Sequence, residues 1–123
     1  MRALLDTHVL LWWLADDSQL SAAHRTIITD SNNDVLVSAV TIAEIVIKAS
    51  LGKLDAPGDI VTIVQQGGFT ELALTSAHAE VLRDLPWAHR DPFDRMLIAQ
   101  CVHEQIPLLT ADARIREYSI NTL

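Results

Sequence analysis

Five carboxylic acids stand where this chain can do chemistry: Asp6, Glu44, Asp91, Asp94 and Asp112. Asp6 directly ends the apolar run Ala3-Leu4-Leu5, and Asp112 follows Ile106-Pro107-Leu108-Leu109 by way of Thr110-Ala111. Asp91 and Asp94 are three apart around Pro92, so they share a face once a helix begins there. Acids in a first helical turn are also favoured by the helix dipole, which alone accounts for Glu44, Asp91 or Asp94 taken singly. Asp6 resists that explanation, because an acid between two apolar segments costs solvation unless something pairs with it. Clustered carboxylates repel and raise one another's pKa unless a cation intervenes. The chain has only two lysines, Lys48 and Lys53, and Lys48 reads as the i+4 partner of Glu44. No Cys/His set has zinc spacing. Oxygen-only donors select hard cations, Mg²⁺ or Mn²⁺, which activate water and stabilise charge on a phosphoryl group. Phosphodiester hydrolysis is the chemistry this set suggests.

Positioning such a set requires strands whose carboxyl ends meet. Short apolar runs alternate with helical patterns, the signature of an α/β protein with a parallel sheet covered by helices on both sides. Strands are expected at Ala3–Leu5, Val35–Ser38, Glu71–Leu74 and Ile106–Leu109, with Ser119–Asn121 a short edge strand. Helices are expected over Val9–Leu14, over Ala22–Ile28 behind the cap Ser21, and from about Asp59 to Gln66. Thr41 is expected to cap another, with Glu44 at the reciprocal position of a capping box. Ser76 is expected to cap a helix to about Leu85, and a long helix runs from Pro92 through Val102. In an open α/β sheet the ligand crevice forms at the carboxyl ends of the strands, so acids from four segments should converge there.

The 123 residues fit one domain, 1–123, with half the residues hydrophobic and enough length to bury a core. Cys101 is the only cysteine, which excludes an intrachain disulfide. No secretory h-region or long uncharged apolar run is seen, so a cytoplasmic protein without a membrane segment is expected. The formal charge of −7 argues against a broad basic face for nucleic acid. Without the five acids, 9 basic residues face 11 acidic ones, a balance of −2. The excess acid is thereby assigned mostly to one proposed site.

Leu4-Leu5-Asp6-Thr7-His8, Ser38-Ala39-Val40-Thr41-Ile42-Ala43-Glu44-Ile45, His89-Arg90-Asp91-Pro92-Phe93-Asp94-Arg95 with Leu97-Ile98-Ala99, and Leu109-Thr110-Ala111-Asp112 resemble the PIN-domain ribonucleases. More closely, they resemble the VapC toxins of bacterial VapBC toxin–antitoxin pairs, across essentially the whole chain. The resemblance implies a PIN-like three-layer α/β/α sandwich with a central, mainly parallel sheet of four to five strands. It also implies a Mg²⁺- or Mn²⁺-dependent endoribonuclease acting on structured RNA of the tRNA or rRNA class. By motif, Asp6 becomes the central metal ligand, Glu44 the helix glutamate, Asp94 the acid before the Leu-Ile-Ala helix, and Asp112 the acid of the Thr-x-Asp motif. Asp91, of the Asp-Pro-Phe-Asp variant, supplements or replaces one of these ligands, or is structural. A homodimer and a VapB-type antitoxin that blocks the site are the implied protein partners. Ala43, where relatives often carry a large aromatic residue, and Cys101, where alanine is common, depart from the pattern without touching the acids.

Ser38 and Thr110 end strands at the crevice and are read as supports that orient a carboxylate or a metal-bound water. His8 and His89 flank the acids and are read as structural. Arg90 and Arg95 are near enough in sequence to meet an RNA phosphate, although Arg95 has Asp91 one turn earlier as an alternative partner. Trp12 and Trp13, adjacent on a helix, cannot both face one core, so one is expected on a covered surface. A haloacid-dehalogenase-type phosphatase needs an aspartate two residues after Asp6, where His8 stands. A response-regulator receiver needs a late lysine, and none follows Lys53. The remaining alternative is a non-catalytic PIN scaffold that binds RNA or protein.

Overall fold

Side-chain alternation along three short strands builds two cores. In the computed structural model, which describes residues 1–123, β1 (Arg2–Leu5), β2 (Asp34–Ser38), β3 (Thr70–Leu72) and β4 (Leu108–Leu109) form one sheet. Its order is β3-β2-β1-β4, and every pairing is parallel. Ala3, Leu5, Val35, Val37 and Leu109 point to one face, where Val9, Ile45, Ile60, Val64 and Phe69 cover them. Leu4, Leu36 and Leu108 point to the other, against Leu97, Ile98, Cys101, Ile115 and Tyr118. The period of two along each strand therefore supplies both inner faces of a three-layer sandwich.

The helices are α1 (Thr7–Leu14), α2 (Ala22–Thr29), α3 (Ala39–Ser50), α4 (Ile60–Gln66), α5 (Ser76–Val81) and α6 (Pro92–Glu104), followed by a 3₁₀ turn at Ile115–Glu117. None is long and apolar enough to cross a membrane. After β1 the chain proceeds to β2 and β3 on one side, then returns to place β4 on the other. The strand order thus reverses between β1 and β4, where open α/β sheets form their crevice. Trp12 and Trp13 are both partly buried and pack against the cluster that holds Val9 and Ile45.

Several boundaries differ from those the sequence suggests. Ser38, not Thr41, caps α3: its Oγ accepts from Val40 N at 3.0 Å, so β2 runs into the helix without a loop. Glu44 consequently lies in the second turn rather than in a capping box. Thr75, not Ser76, caps α5, and His78 rather than an acid returns the bond to the cap's own N–H; the helix stops at Val81. β3 starts at Thr70 and ends at Leu72, leaving Leu74 exposed. β4 excludes Pro107, which has no N–H to give, although its carbonyl accepts from Leu4 N. The expected strand at Ser119–Asn121 is instead a single parallel bridge between Leu108 and Thr122.

Leu97 and Leu109 are fully buried on opposite faces of the sheet. Truncating either to alanine should lower unfolding free energy by about 2–5 kcal/mol in urea denaturation. Val102→Ala, on the exposed side of α6, should change it by no more than about 0.5 kcal/mol.

Candidate active site

Asp6 leaves β1 as the N-cap of α1. Its backbone N–H donates to Leu109 O at 3.0 Å, and its Oδ1 accepts from Val9 N at 2.9 Å. Thr110, the first residue after β4, donates its hydroxyl to Asp6 Oδ2 at 2.5 Å. The same hydroxyl oxygen accepts from Asp112 N at 3.0 Å. One buried threonine therefore ties the acid after β1 to the acid after β4. Each Asp6 oxygen keeps a lone pair beyond its protein bond.

Glu44 reaches the same edge from α3 and is buried. Thr7 Oγ1 donates to its Oε1 at 2.7 Å and lies 3.2 Å from Thr41 Oγ1. Lys48 Nζ meets its Oε2 at 2.5 Å, one turn along the helix. That pairing is the one the sequence spacing suggests, and it holds the Lys48 ammonium above its ordinary pKa.

At the start of α6, Pro92 occupies the first turn and Asp91 is the cap, its Oδ1 accepting from Phe93 N at 2.9 Å and Asp94 N at 3.0 Å. Asp94 Oδ2 accepts from His89 Nε2 at 2.7 Å. His89 Nδ1 accepts from Arg90 N at 3.1 Å, which places the ring proton on Nε2, aimed at Asp94. His89 Nε2 also lies 3.9 Å from Asp112 Oδ2, and one ligand atom each from His89, Asp94 and Asp112 falls within 4.8 Å of the others. Asp112 Oδ1 accepts from Arg114 N at 2.9 Å, and its Oδ2 meets Arg114 Nη2 at 3.2 Å.

These contacts divide the acids by charge balance. Glu44 has Lys48 and Asp112 has Arg114, whereas Asp6 and Asp94 have no lysine or arginine partner. Burial pushes the Asp6 carboxyl above its usual range despite the Thr110 and Val9 bonds, and the Asp112 charge adds to the effect. Burial likewise raises Asp94, against its bond from His89 and with the charges of Asp91 and Glu44 alongside. Burial also acts upward on Asp112, but the Arg114 side chain and N–H outweigh it and hold the carboxyl below its usual value. The metal-facing donors are thus carboxylate oxygens, one of them held by an imidazole N–H edge, and of the two acids without a lysine or arginine partner Asp6 is buried and Asp94 partly so. That chemistry fits a hard divalent cation.

Other expectations fall elsewhere. Ser38 is fully buried, but its hydroxyl donates to Gln100 Oε1 at 2.6 Å and touches none of the acids. Its work is to cap α3, which delivers Glu44. Arg95 is buried too: Nη1 donates to Pro86 O at 2.7 Å and Nη2 to Leu85 O at 3.2 Å, so its guanidinium is not turned toward a phosphate. It makes no ion pair with Asp91. Arg90 is exposed and pairs with no acid. Sequence reasoning undervalued His89 and passed over Thr7; the signal available was their adjacency to the acid motifs. A second histidine–acid group, His78, His103 and Glu104, lies at the far end of α6. There His78 Nδ1 accepts from Thr75 N and its Nε2 faces Glu104 at 2.9 Å, a tie between α5 and α6.

Residues 3–121 match the family model described as PIN domain. The chain is 27% identical over 118 residues to Ribonuclease VapC22 of Mycobacterium tuberculosis (strain ATCC 25618 / H37Rv), covering 94% of this chain and 90% of that protein. Among solved structures it resembles VapBC2 from Rickettsia felis bound to a promoter DNA fragment, with a TM-score of 0.74, 10% identity, and 100% and 98% of the two chains covered. DNA-bound VapBC from Salmonella typhimurium gives a TM-score of 0.74 at 15% identity, with 100% and 97% covered. At these identities the structural likenesses show the fold.

Because the Asp6 and Asp94 carboxyls are raised, metal-free protein should lose their contribution to stability as pH rises from 3.8 through their folded values. In chelator, the melting temperature of the wild type should therefore fall relative to that of Asp6→Asn over that rise. Added Mg²⁺ or Mn²⁺ should raise the wild-type melting temperature more than that of Asp6→Asn. Equal responses of the two proteins would contradict metal binding at Asp6.

Proposed function

This chain belongs to the PIN-domain family, and on that premise we propose that it is a Mg²⁺- or Mn²⁺-dependent endoribonuclease, the toxin of a VapBC-type pair. The observation that carries this reading is the pair of carboxylates without a lysine or arginine partner, buried Asp6 and partly buried Asp94, at the strand-order reversal beside Glu44 and Asp112. The ribonuclease name of the mycobacterial relative supports it. Asp6, Glu44, Asp94 and Asp112 would hold the ion, with Asp91 beside them. A bound divalent ion supplies acidified water and charge stabilisation at a phosphoryl group. Thr110 and Val9 N fix the Asp6 carboxylate, Thr7 and Lys48 fix Glu44, and Arg114 fixes Asp112. His89 keeps its proton on Nε2 against Asp94, so it positions that carboxylate instead of serving as the base. Arg90 is an exposed cation next to this edge without an acid partner and is assigned to an RNA phosphate.

The partner belongs to the same proposal. Val46 and Ile47 of α3, Leu51 that caps its end, and Val61 of α4 are exposed apolar side chains, consistent with a surface that a second copy or an antitoxin covers. The structural neighbours named above are VapBC complexes. Sizing the chain alone and with the product of an adjacent short reading frame should give two distinct complexes; no association in either case would count against this assignment.

Cleavage is tested on tRNA and ribosomal RNA fragments with and without Mg²⁺ or Mn²⁺. Asp6→Ala and Asp94→Asn should each slow cutting by about 100-fold or more, and chelator should abolish it. Thr110→Val should slow it by about 10- to 100-fold by releasing Asp6. The mapped ends should carry no 2′,3′-cyclic phosphate, since water and not the RNA's own 2′-OH is the nucleophile. Equal, metal-independent cleavage by wild type and Asp6→Ala would sink the reading. Metal-independent RNA binding without any cutting would favour the non-catalytic scaffold.

A further inference from the structure

Trp87 is the most exposed large apolar side chain in the molecule, at 69%. One face of its indole is covered: Arg95 Cζ lies 3.6 Å from the ring centroid. That guanidinium is immobilised from the other side. Besides Pro86 O and Leu85 O, its Nη1 reaches His89 O at 3.3 Å and Tyr118 Oη at 3.2 Å. Tyr118 Oη in turn accepts from His89 N at 2.9 Å. The loop from Leu85 to His89 is therefore wrapped around a buried cation, with the indole placed over it. Trp87, Arg90, Pro92, Arg95, Met96 and Leu82 line a groove of about 260 Å³. Trp87 is two residues from His89, so their Cα atoms are at most about 7 Å apart, and His89 bonds Asp94 of the candidate active site.

We infer that Trp87 is a stacking platform for an unpaired nucleobase of the RNA, with Arg90 taking an adjacent phosphate. This rests on the nuclease reading for its location and deepens it by naming what is recognised beside the cut. Aromatic rings are sequence-tolerant platforms because every base has a π-face, and a cation fixed under the ring adds to the attraction. Unstacked bases of this kind are found in the loops and bulges of structured RNA. Charge decides between occupants. Arg90 is exposed and has no carboxylate partner, so a polyanion carrying aromatic bases satisfies both the cation and the ring, whereas an apolar protein segment satisfies only the ring. Because the platform is already ordered by the Arg95 bonds, stacking requires little further loss of side-chain freedom.

The test uses the full chain carrying Asp6→Asn, which limits cutting, with dye-labelled single-stranded oligoadenylate and a base-free ribose–phosphate oligomer of equal length, read by anisotropy. Adding Trp87→Ala should weaken oligoadenylate binding by about tenfold and leave the base-free oligomer unchanged. Trp87→Phe should stay within about twofold of the parent. Trp87→Leu, which keeps an apolar cover over Arg95, should behave like Trp87→Ala. Arg90→Ala should weaken both oligomers and reduce the salt dependence by about one counterion. Unchanged oligoadenylate binding by Trp87→Ala, equal loss for both oligomers, or no binding by the parent would each overturn the inference. Unchanged RNA binding with a lost dimer on sizing would assign the indole to a second copy, and would also overturn it. Cleavage by the chain with Asp6 intact is scored separately. Base-dependent binding without cleavage removes the nuclease reading and leaves the platform, while cleavage with Trp87-independent binding does the reverse.

Discussion

Burying carboxylates at the ends of adjacent parallel strands is unfavourable unless each oxygen is held, and that constraint organises the molecule. Asp6 meets it through the first turn of α1 and the Thr110 hydroxyl, the same atom that receives the N–H of Asp112. Glu44 meets it through Thr7, the residue after Asp6, and through Lys48. Asp94 meets it through His89. Each acid is therefore supported by a residue that belongs to, or adjoins, the segment carrying another acid or its strand. Loss of one support perturbs a neighbour as well as its own partner, so double-mutant cycles across Thr110 and Asp112, or Thr7 and Glu44, should be non-additive.

The acidity of the chain takes a local meaning in this frame. The charge of −7 falls to −2 once five acids are set aside, and those five are unequal. Lys48 and Arg114 balance two of them, Asp91 is partly spent as a helix cap, and Asp6 and Asp94 remain with hydroxyl, amide and imidazole donors only. A uniformly acidic patch would attract cations without preference of place. Here the two carboxylates raised by burial are where a divalent charge would offset the most unbalanced acid.

The parts of the site that lie on regular elements were legible in the sequence. Asp6 closing an apolar run, Pro92 opening a helix between two acids, and the Thr-x-Asp after the last strand all translate directly into position, because strand ends and helix starts are local properties. The parts that depend on packing were not. Whether Ser38 or Thr41 caps α3 turns on how tightly β2 runs into that helix, and both residue types make good caps. Arg95 reads as a surface cation one turn from Asp91, yet a loop nearly ten residues earlier folds over it and its carbonyls claim the guanidinium. His89 looks like any flanking histidine until Asp94 is seen 2.7 Å from its Nε2. In each case the deciding contact joins residues whose proximity no short-range pattern encodes.

The central place of β1 has a consequence for how the protein is made. Its first acid and the hydroxyl that completes that acid's coordination by protein donors are 104 positions apart. At about 5–20 residues per second, β4 is synthesised several seconds after β1. Until it emerges, the sheet has an open side where Leu108 and Leu109 belong, Asp6 lacks Thr110, and Asp112 does not yet exist in the nascent chain. The acid set is thus closed only when Thr110 and Asp112 arrive, and a truncated product or a ribosome-bound fragment that stops before them carries the opening motif without the assembled site.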